Sequence, residues 1–186
     1  AETGLIPIEN SLAGSIHQNY DLLLRHDLHI VGEYFLRVRH CLIAFEDVEK
    51  KDIQRVISHP QALGQCAGYL RILGVKTEPV YDTAGSVKML KASGERATAA
   101  IASKRAAQLY GMRILEEGIE DNPENYTRFL IIAKEPLKTS PGKEPGASKT
   151  TIVFTLKNEP GSLFKALSVF ALRDIDLNKI ESRPLV

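Results

Sequence analysis

The sequence predicts an α/β protein, on three observations. Short apolar runs alternate with amphipathic stretches, turn residues punctuate them, and a Pro- and Gly-rich segment late in the chain precedes a second β-then-α pattern. Strands are expected at 4–8, 28–33, 36–44, 54–58, 75–80, 98–102 and 128–133, and helices at 17–26, 60–73, 84–92 and 103–110. The first strand is the run Gly4-Leu5-Ile6-Pro7-Ile8. The helix at 60–73 has Pro60 in its first turn, Leu63, Cys66, Ala67 and Leu70 on one apolar face, and Gly74 as its stop. The last of these strands opens with Thr127-Arg128-Phe129 and continues through Leu130, Ile131, Ile132 and Ala133. A hydroxyl and a guanidinium therefore stand at the mouth of a buried strand, a usual place for a ligand cleft.

Residues 135–149 contain three Pro and two Gly with almost no apolar content, and read as a linker. Beyond it, Ile152, Phe154 and Leu156 alternate on one face of a strand expected at 150–156. A Pro160-Gly161 turn leads to an amphipathic helix with Leu163, Ala166, Leu167 and Phe170 on one side, and a strand is expected from 175 to 180. That segment exposes a sheet edge and an apolar face, so it is expected to be marginal alone.

Composition excludes several function classes. Twenty-four Lys and Arg against 23 Asp and Glu leave a net charge of +1, and no basic patch stands out, which argues against a nucleic-acid surface. No apolar run approaches the roughly 18 residues of a membrane span. Cys41 and Cys66 fit neither a zinc set nor a redox pair, so they read as reduced thiols in an intracellular compartment, with no metal and no cofactor expected. His17, His26, His29 and His40 have no ligand spacing and read as solvent or packing residues. Asn125-Tyr126-Thr127 is formally a glycosylation acceptor, but Thr127 enters a strand, which disfavours its use.

Four strand ends run into small polar residues: Glu9-Asn10-Ser11, Ser58-His59, Asp82-Thr83 and Ser103. Each can cap a helix without any ligand. If several share the carboxyl edge of one sheet, their N–H groups and hydroxyls converge on an anion instead. Asp82-Thr83-Ala84-Gly85-Ser86 is a polar strand-to-helix turn of that kind.

Four motifs occur in order: Pro7-Ile8-Glu9-Asn10-Ser11 with Gly14; Ser58-His59-Pro60-Gln61-Ala62-Leu63 with Gln65-Cys66; Thr127-Arg128-Phe129; and Glu181-Ser182-Arg183-Pro184. Together they resemble the prephenate dehydratase and arogenate dehydratase family, with its C-terminal ACT regulatory domain. The resemblance implies a two-lobed dehydratase domain at 1–134, in the style of periplasmic binding proteins. It further implies a linker at 135–149 and the first half of a ferredoxin-like βαβ ACT domain at 150–186. Relatives extend beyond both ends of these motifs, so the chain reads as an internal fragment.

The implied substrate is prephenate, or arogenate, which bears an ammonium in place of the keto group; the stretch 7–33 looks particularly like the plant-type enzymes. On the resemblance, Thr127 assists loss of the ring hydroxyl. Asn10 and Ser11 contact substrate, Glu9 orients neighbouring donors, Ser58 and Gln65 donate from the central helix, and Thr83, Arg128 and Phe129 line the site. His59 has the better intrinsic pKa for proton delivery. Gly161, Leu163, Glu181, Ser182, Arg183 and Pro184 match the phenylalanine-binding loop and its partner motif. L-Phenylalanine as effector, a homodimer or homotetramer, and a cytoplasmic or plastid location are the corresponding expectations, with a non-catalytic amino-acid-binding module as the alternative.

Overall fold

The computed structural model describes residues 2–136 and 149–182. The chain divides into two units between Lys138 and Thr139.

The first unit contains two sheets. In chain order it runs β1 (Thr3–Asn10), β2 (Gly14–Ser15), α1 (His17–Arg25), β3 (His29–Arg37), β4 (Cys41–Ala44), a 3-10 turn (Lys50–Asp52), β5 (Arg55–Ser58), α2 (Pro60–Gln65) and α3 (Ala67–Leu73). It continues with β6 (Lys76–Pro79), α4 (Thr83–Ser93), β7 (Thr98–Ala102), α5 (Lys104–Tyr110), β8 (Arg113–Glu117) and β9 (Tyr126–Ala133). One sheet has the order β2-β1-β9-β3 and is antiparallel throughout. The other has the order β6-β5-β7-β4-β8, with β6, β5 and β7 parallel, and β4 antiparallel to both of its neighbours, β7 and β8.

The inner strands β5, β7 and β4 of the five-stranded sheet are buried on both faces, and strand alternation sorts their side chains. Leu42, Ala44, Val56, Ala99 and Ile101 face Ala62, Cys66 and Leu70 from α2, α3 and their junction. Their neighbours Cys41, Ile43, Ile57, Ala100 and Ala102 face Val87 and Leu90 of α4 and Ala106 and Ala107 of α5. Each large aliphatic side chain removed from water here contributes about 1.5–3 kcal/mol. α3 ends at Gly74, whose φ of +72° is a left-handed conformation that glycine adopts without a Cβ penalty.

Two crossovers join the sheets. Residues 38–40 connect β3 to β4, and residues 118–125 connect β8 to β9. They are bonded to each other: Val38 N donates to Asn125 O at 2.8 Å, and Gly118 N and Ile119 N donate to His40 O at 2.9 and 3.2 Å.

Several expected elements change. The strands expected at 28–33 and 36–44 are instead β3 and β4, because β3 stays paired with β9 as far as Arg37↔Tyr126 and then leaves its sheet. The helix expected at 60–73 breaks at Cys66. Gly68 N and Tyr69 N, whose helical acceptors would be Gly64 and Gln65, donate instead to the Asp121 carboxylate at 2.8 and 3.3 Å, and Gln65 O accepts from Asp121 N. β8 was not expected; its polar Glu116 is satisfied by Tyr69 and Lys50, which also hold its carboxyl below the usual range.

In the second unit the only regular element among the described residues is α6 (Ser162–Ala171), entered through Gly161 at φ +82°. The strands expected at 150–156 and 175–180 are irregular backbone. Strand structure requires a hydrogen-bonded ladder, and neither segment has one among the described residues. Most of the linker expected at 135–149, together with Arg183 and Pro184, lies outside the described residues.

Candidate functional site

Three helices start at the carboxyl edge of the parallel strands. His59 Nδ1 accepts from Gln61 N at 3.2 Å and caps α2, with Pro60 at its first position. The Asp82 carboxylate accepts from Gly85 N at 2.7 Å and caps α4. Ser103 Oγ accepts from Ala106 N at 3.2 Å and caps α5. The register Ile57↔Ala100 and Ser58↔Pro79 aligns these strand ends, so the three caps share one edge. Thr83 lies in the first turn of α4, half-buried, with its carbonyl accepting from Ser86 Oγ at 2.6 Å.

Ser58 has a different role from an exposed donor. It is fully buried, and its hydroxyl donates to Ile101 O at 2.7 Å, tying β5 to β7. Because Nδ1 of His59 is the acceptor in its cap, the proton of the neutral ring sits on Nε2.

The second cluster lies where β1 ends and β9 begins. Asn10 pairs with Thr127 in the ladder. The expected helix cap at Glu9-Asn10-Ser11 is absent, because β1 turns directly into β2 rather than into a helix. Asn10 Oδ1 instead accepts from Leu12 N and Ala13 N at 3.1 and 2.9 Å. That fixes the amide, so Nδ2 faces Asn125 Oδ1 at 2.8 Å, Thr127 Oγ1 at 3.1 Å and Tyr126 O at 3.2 Å. Ser11 Oγ donates to Glu124 O at 2.9 Å and accepts from Tyr126 N at 3.0 Å, which fastens the turn to β9.

Arg128 is committed within its own sheet. Its Nε meets Glu33 Oε2 at 2.9 Å, its guanidinium approaches Glu9 Oε2 at 3.9 Å, and Phe35 lies 5.9 Å from its centre. These carboxylates give it a structural ion pair. Phe129 pairs with Pro7 on one side and Tyr34 on the other.

Residues of the crossovers bond to both clusters. Gln65, at the end of α2, contacts His40 Nε2 through its Oε1 at 2.8 Å. His40 N donates to Glu120 Oε2 at 2.9 Å, and Asp121 N bonds Gln65 O at 2.8 Å. From Val38 the path continues to Asn125, then Asn10 and Thr127. Thus Gln65, through His40, and Thr127, through Asn10 and Asn125, are each tied to the β3–β4 crossover. Nearby, burial pushes the Cys66 thiol up to about 12, with the charges of Asp121 and Glu120 adding to the effect. Burial likewise raises the Cys41 thiol.

Sequence reasoning missed His40, Glu120, Asp121 and Asn125. His40 is 6% exposed and binds Gln65, so it is neither a solvent residue nor a bystander in packing. Asn125 has no solvent exposure, which agrees with setting aside the glycosylation reading. It precedes β9 in the crossover, so no local pattern marked it. Among the described residues no group of three or more His, Cys, Asp or Glu is arranged to hold a metal ion. No helix there is long and apolar enough to cross a membrane.

In the second unit Gly161 caps α6 and Leu163 is exposed on its first turn. Glu181 and Ser182 are exposed, with Glu181 Oε2 3.3 Å from Lys179 Nζ.

A prephenate dehydratase family model matches residues 1–137. The chain is 54% identical over 99% of its length to arogenate dehydratase/prephenate dehydratase 2, chloroplastic, of Arabidopsis thaliana, covering 48% of that protein. It is 53% identical over 99% of its length to arogenate dehydratase 2 of Petunia hybrida, covering 46% of it. The chain therefore spans about half the length of these curated relatives. Among solved structures, the prephenate dehydratase of Arthrobacter aurescens in complex with L-Phe aligns with a TM-score of 0.78 at 30% identity, over 99% of this chain and 61% of that one. GqqA, described as a novel type of quorum quenching acylase, aligns with a TM-score of 0.81 at 34% identity, over 100% of this chain and 66% of that one.

Proposed function

The chain belongs to the prephenate dehydratase family, and from that premise we propose that it carries the site for decarboxylating dehydration of prephenate to phenylpyruvate, the precursor of L-phenylalanine. One observation carries the reading. Asn10 Nδ2 lies 3.1 Å from Thr127 Oγ1, so the threonine oxygen accepts and its own proton is left for a ligand. In the reaction, the electron pair of the breaking ring–carboxylate bond enters the ring, carbon dioxide departs, and the C4 hydroxide leaves as the ring becomes aromatic. Thr127 is too weak an acid to protonate that hydroxide and serves as its hydrogen-bond donor. His59, whose neutral ring carries its proton on Nε2, is a second hydrogen-bond donor to the departing oxygen, which takes its proton from solvent. Gln65 positions the dianion and Asn10 holds Thr127 for it, with Thr83 and the N-termini at the sheet edge completing a set of neutral donors. Ser58, Glu9, Ser11, Arg128 and Phe129 shape the site from behind these donors.

Arogenate is the second reading. It is favoured by the names of the plant relatives, several of which are arogenate dehydratases at 50–54% identity. In the proposed organisation, 1–134 performs the chemistry, 135–149 links, and 150–186 corresponds to the first half of an ACT domain. Phenylalanine is the proposed effector, through Gly161, Leu163 and Glu181 to Pro184, in a dimer or tetramer. The Arthrobacter relative solved with L-Phe supports this assignment of the effector. Plastid residence is the companion proposal, since several relatives' names include that compartment.

The test is release of phenylpyruvate from prephenate, read by its enolate absorbance in alkali, beside phenylalanine formation from arogenate. It uses this chain and a version extended at its N-terminus. Thr127→Ala is expected to lower kcat about 100-fold in whichever version turns over. Two inert versions, on both substrates, would overturn the enzyme reading in favour of an amino-acid-binding module.

A further inference from the structure

We infer that Asn125 is the positioning residue for Thr127, acting through Asn10; the inference rests on the dehydratase reading of this site. Proton counting carries it. Asn10 has two Nδ2 protons, and its Oδ1 is held by two backbone N–H groups, so the amide cannot turn over. Asn125 Oδ1, the nearest of three acceptors at 2.8 Å, takes one proton. The second falls between Thr127 Oγ1 and Tyr126 O, at 3.1 and 3.2 Å. Tyr126 O already accepts from Ser11 N at 2.8 Å, which leaves Thr127 as the less satisfied partner. With its oxygen accepting, the Thr127 hydroxyl has only its proton to present.

The other end of Asn125 supports the assignment. Its Nδ2 is buried without any hydrogen-bond partner, the one such side-chain atom among the described residues. An orphaned buried donor costs roughly 1–3 kcal/mol. Reversing the amide would bring two NH2 groups together and remove the acceptor that Asn10 uses. The amide at 125 is thus retained for its oxygen despite its nitrogen, which is the pattern of a residue fixed by its neighbour's orientation rather than by stability. Its backbone adds rigidity, since Asn125 O accepts from Val38 N across the crossovers.

The experiment uses whichever version turns over substrate. Asn125→Ala is expected to lower kcat about 10-fold with KM changed less than about twofold, and to cause little further loss in a Thr127→Ala background. Asn125→Asp keeps the acceptor in either protonation state and is expected to recover kcat to within about threefold of wild type. In parallel, the side-chain amide resonances of Asn10 are followed by NMR in the native protein and in both variants. They should move in Asn125→Ala and stay near their native positions in Asn125→Asp. Three results would each overturn the inference: an equal loss in the Thr127→Ala background, no recovery by aspartate, or an unmoved Asn10 amide. The resonances decide even if neither version is active, an outcome that overturns the dehydratase reading separately. If Asn125→Ala does not fold, Asn125→Asp still tests the oxygen's role.

Discussion

Cys66 shows how a side chain with no catalytic role reports on the environment of the site. It has no solvent exposure, and its thiol is raised from 9.0 to about 12. A thiol raised in the folded state keeps its proton where the unfolded chain has lost it. The unfolded state then binds fewer protons, so this contribution is intact below about pH 9 and disappears as pH rises towards 12. Urea denaturation between pH 8.5 and 10.5 should show a steeper fall in wild type than in Cys66→Ala, by up to ~1.4 kcal/mol per pH unit. Equal slopes would refute that placement of the thiol. Family motifs made Asn10, Gln65 and Thr127 legible in the sequence. Their partners were not: His40 and Asn125 act only through residues that the fold brings to them, and a lone His or an Asn before an aromatic residue carries no local signal. Arg128 lay between these cases, since its motif was legible but the carboxylates of Glu33 and Glu9 beside its guanidinium were not.

Elements were most legible where one local rule decided them. Helix starts at Pro60, Thr83 and Lys104 follow from cap chemistry, and the buried strands from short apolar runs. The break in the helix at Cys66 could not be read this way, because its cause is Asp121, 53 residues beyond the Gly68 N–H that it accepts from. That carboxylate substitutes for helical acceptors at the start of α3. Asp121→Ala should therefore cost about 1–2 kcal/mol, measured as a lower urea midpoint at unchanged slope. Gly68 belongs to the same arrangement: a Cβ there would sit 2.8 Å from Asp121 Oδ1. β8 escaped notice for a related reason, since its charged residues look like solvent-facing ones until Lys50 and Tyr69 arrive.

At the scale of the chain, the two units have different means of support. The first has apolar clusters on both faces of its five-stranded sheet. In the second, α6 has no buried residue, and Ile152, Phe154, Leu163 and Phe164 are exposed. Expressed alone, residues 149–186 should give the circular dichroism of an unfolded chain, with no cooperative melt; a sharp transition would show self-sufficiency. The first unit bears a different consequence of its wiring. Asn10 and Thr127 are 117 residues apart in sequence and bond only once β1 and β9 have paired. Every other strand of that unit lies between them in the chain. The Thr127 hydroxyl is therefore oriented among the last events of folding, after the longest loop has closed. On the proposed function, a nascent chain still emerging from the ribosome would stay chemically silent until β9 is released, and turnover would time the completion of this fold.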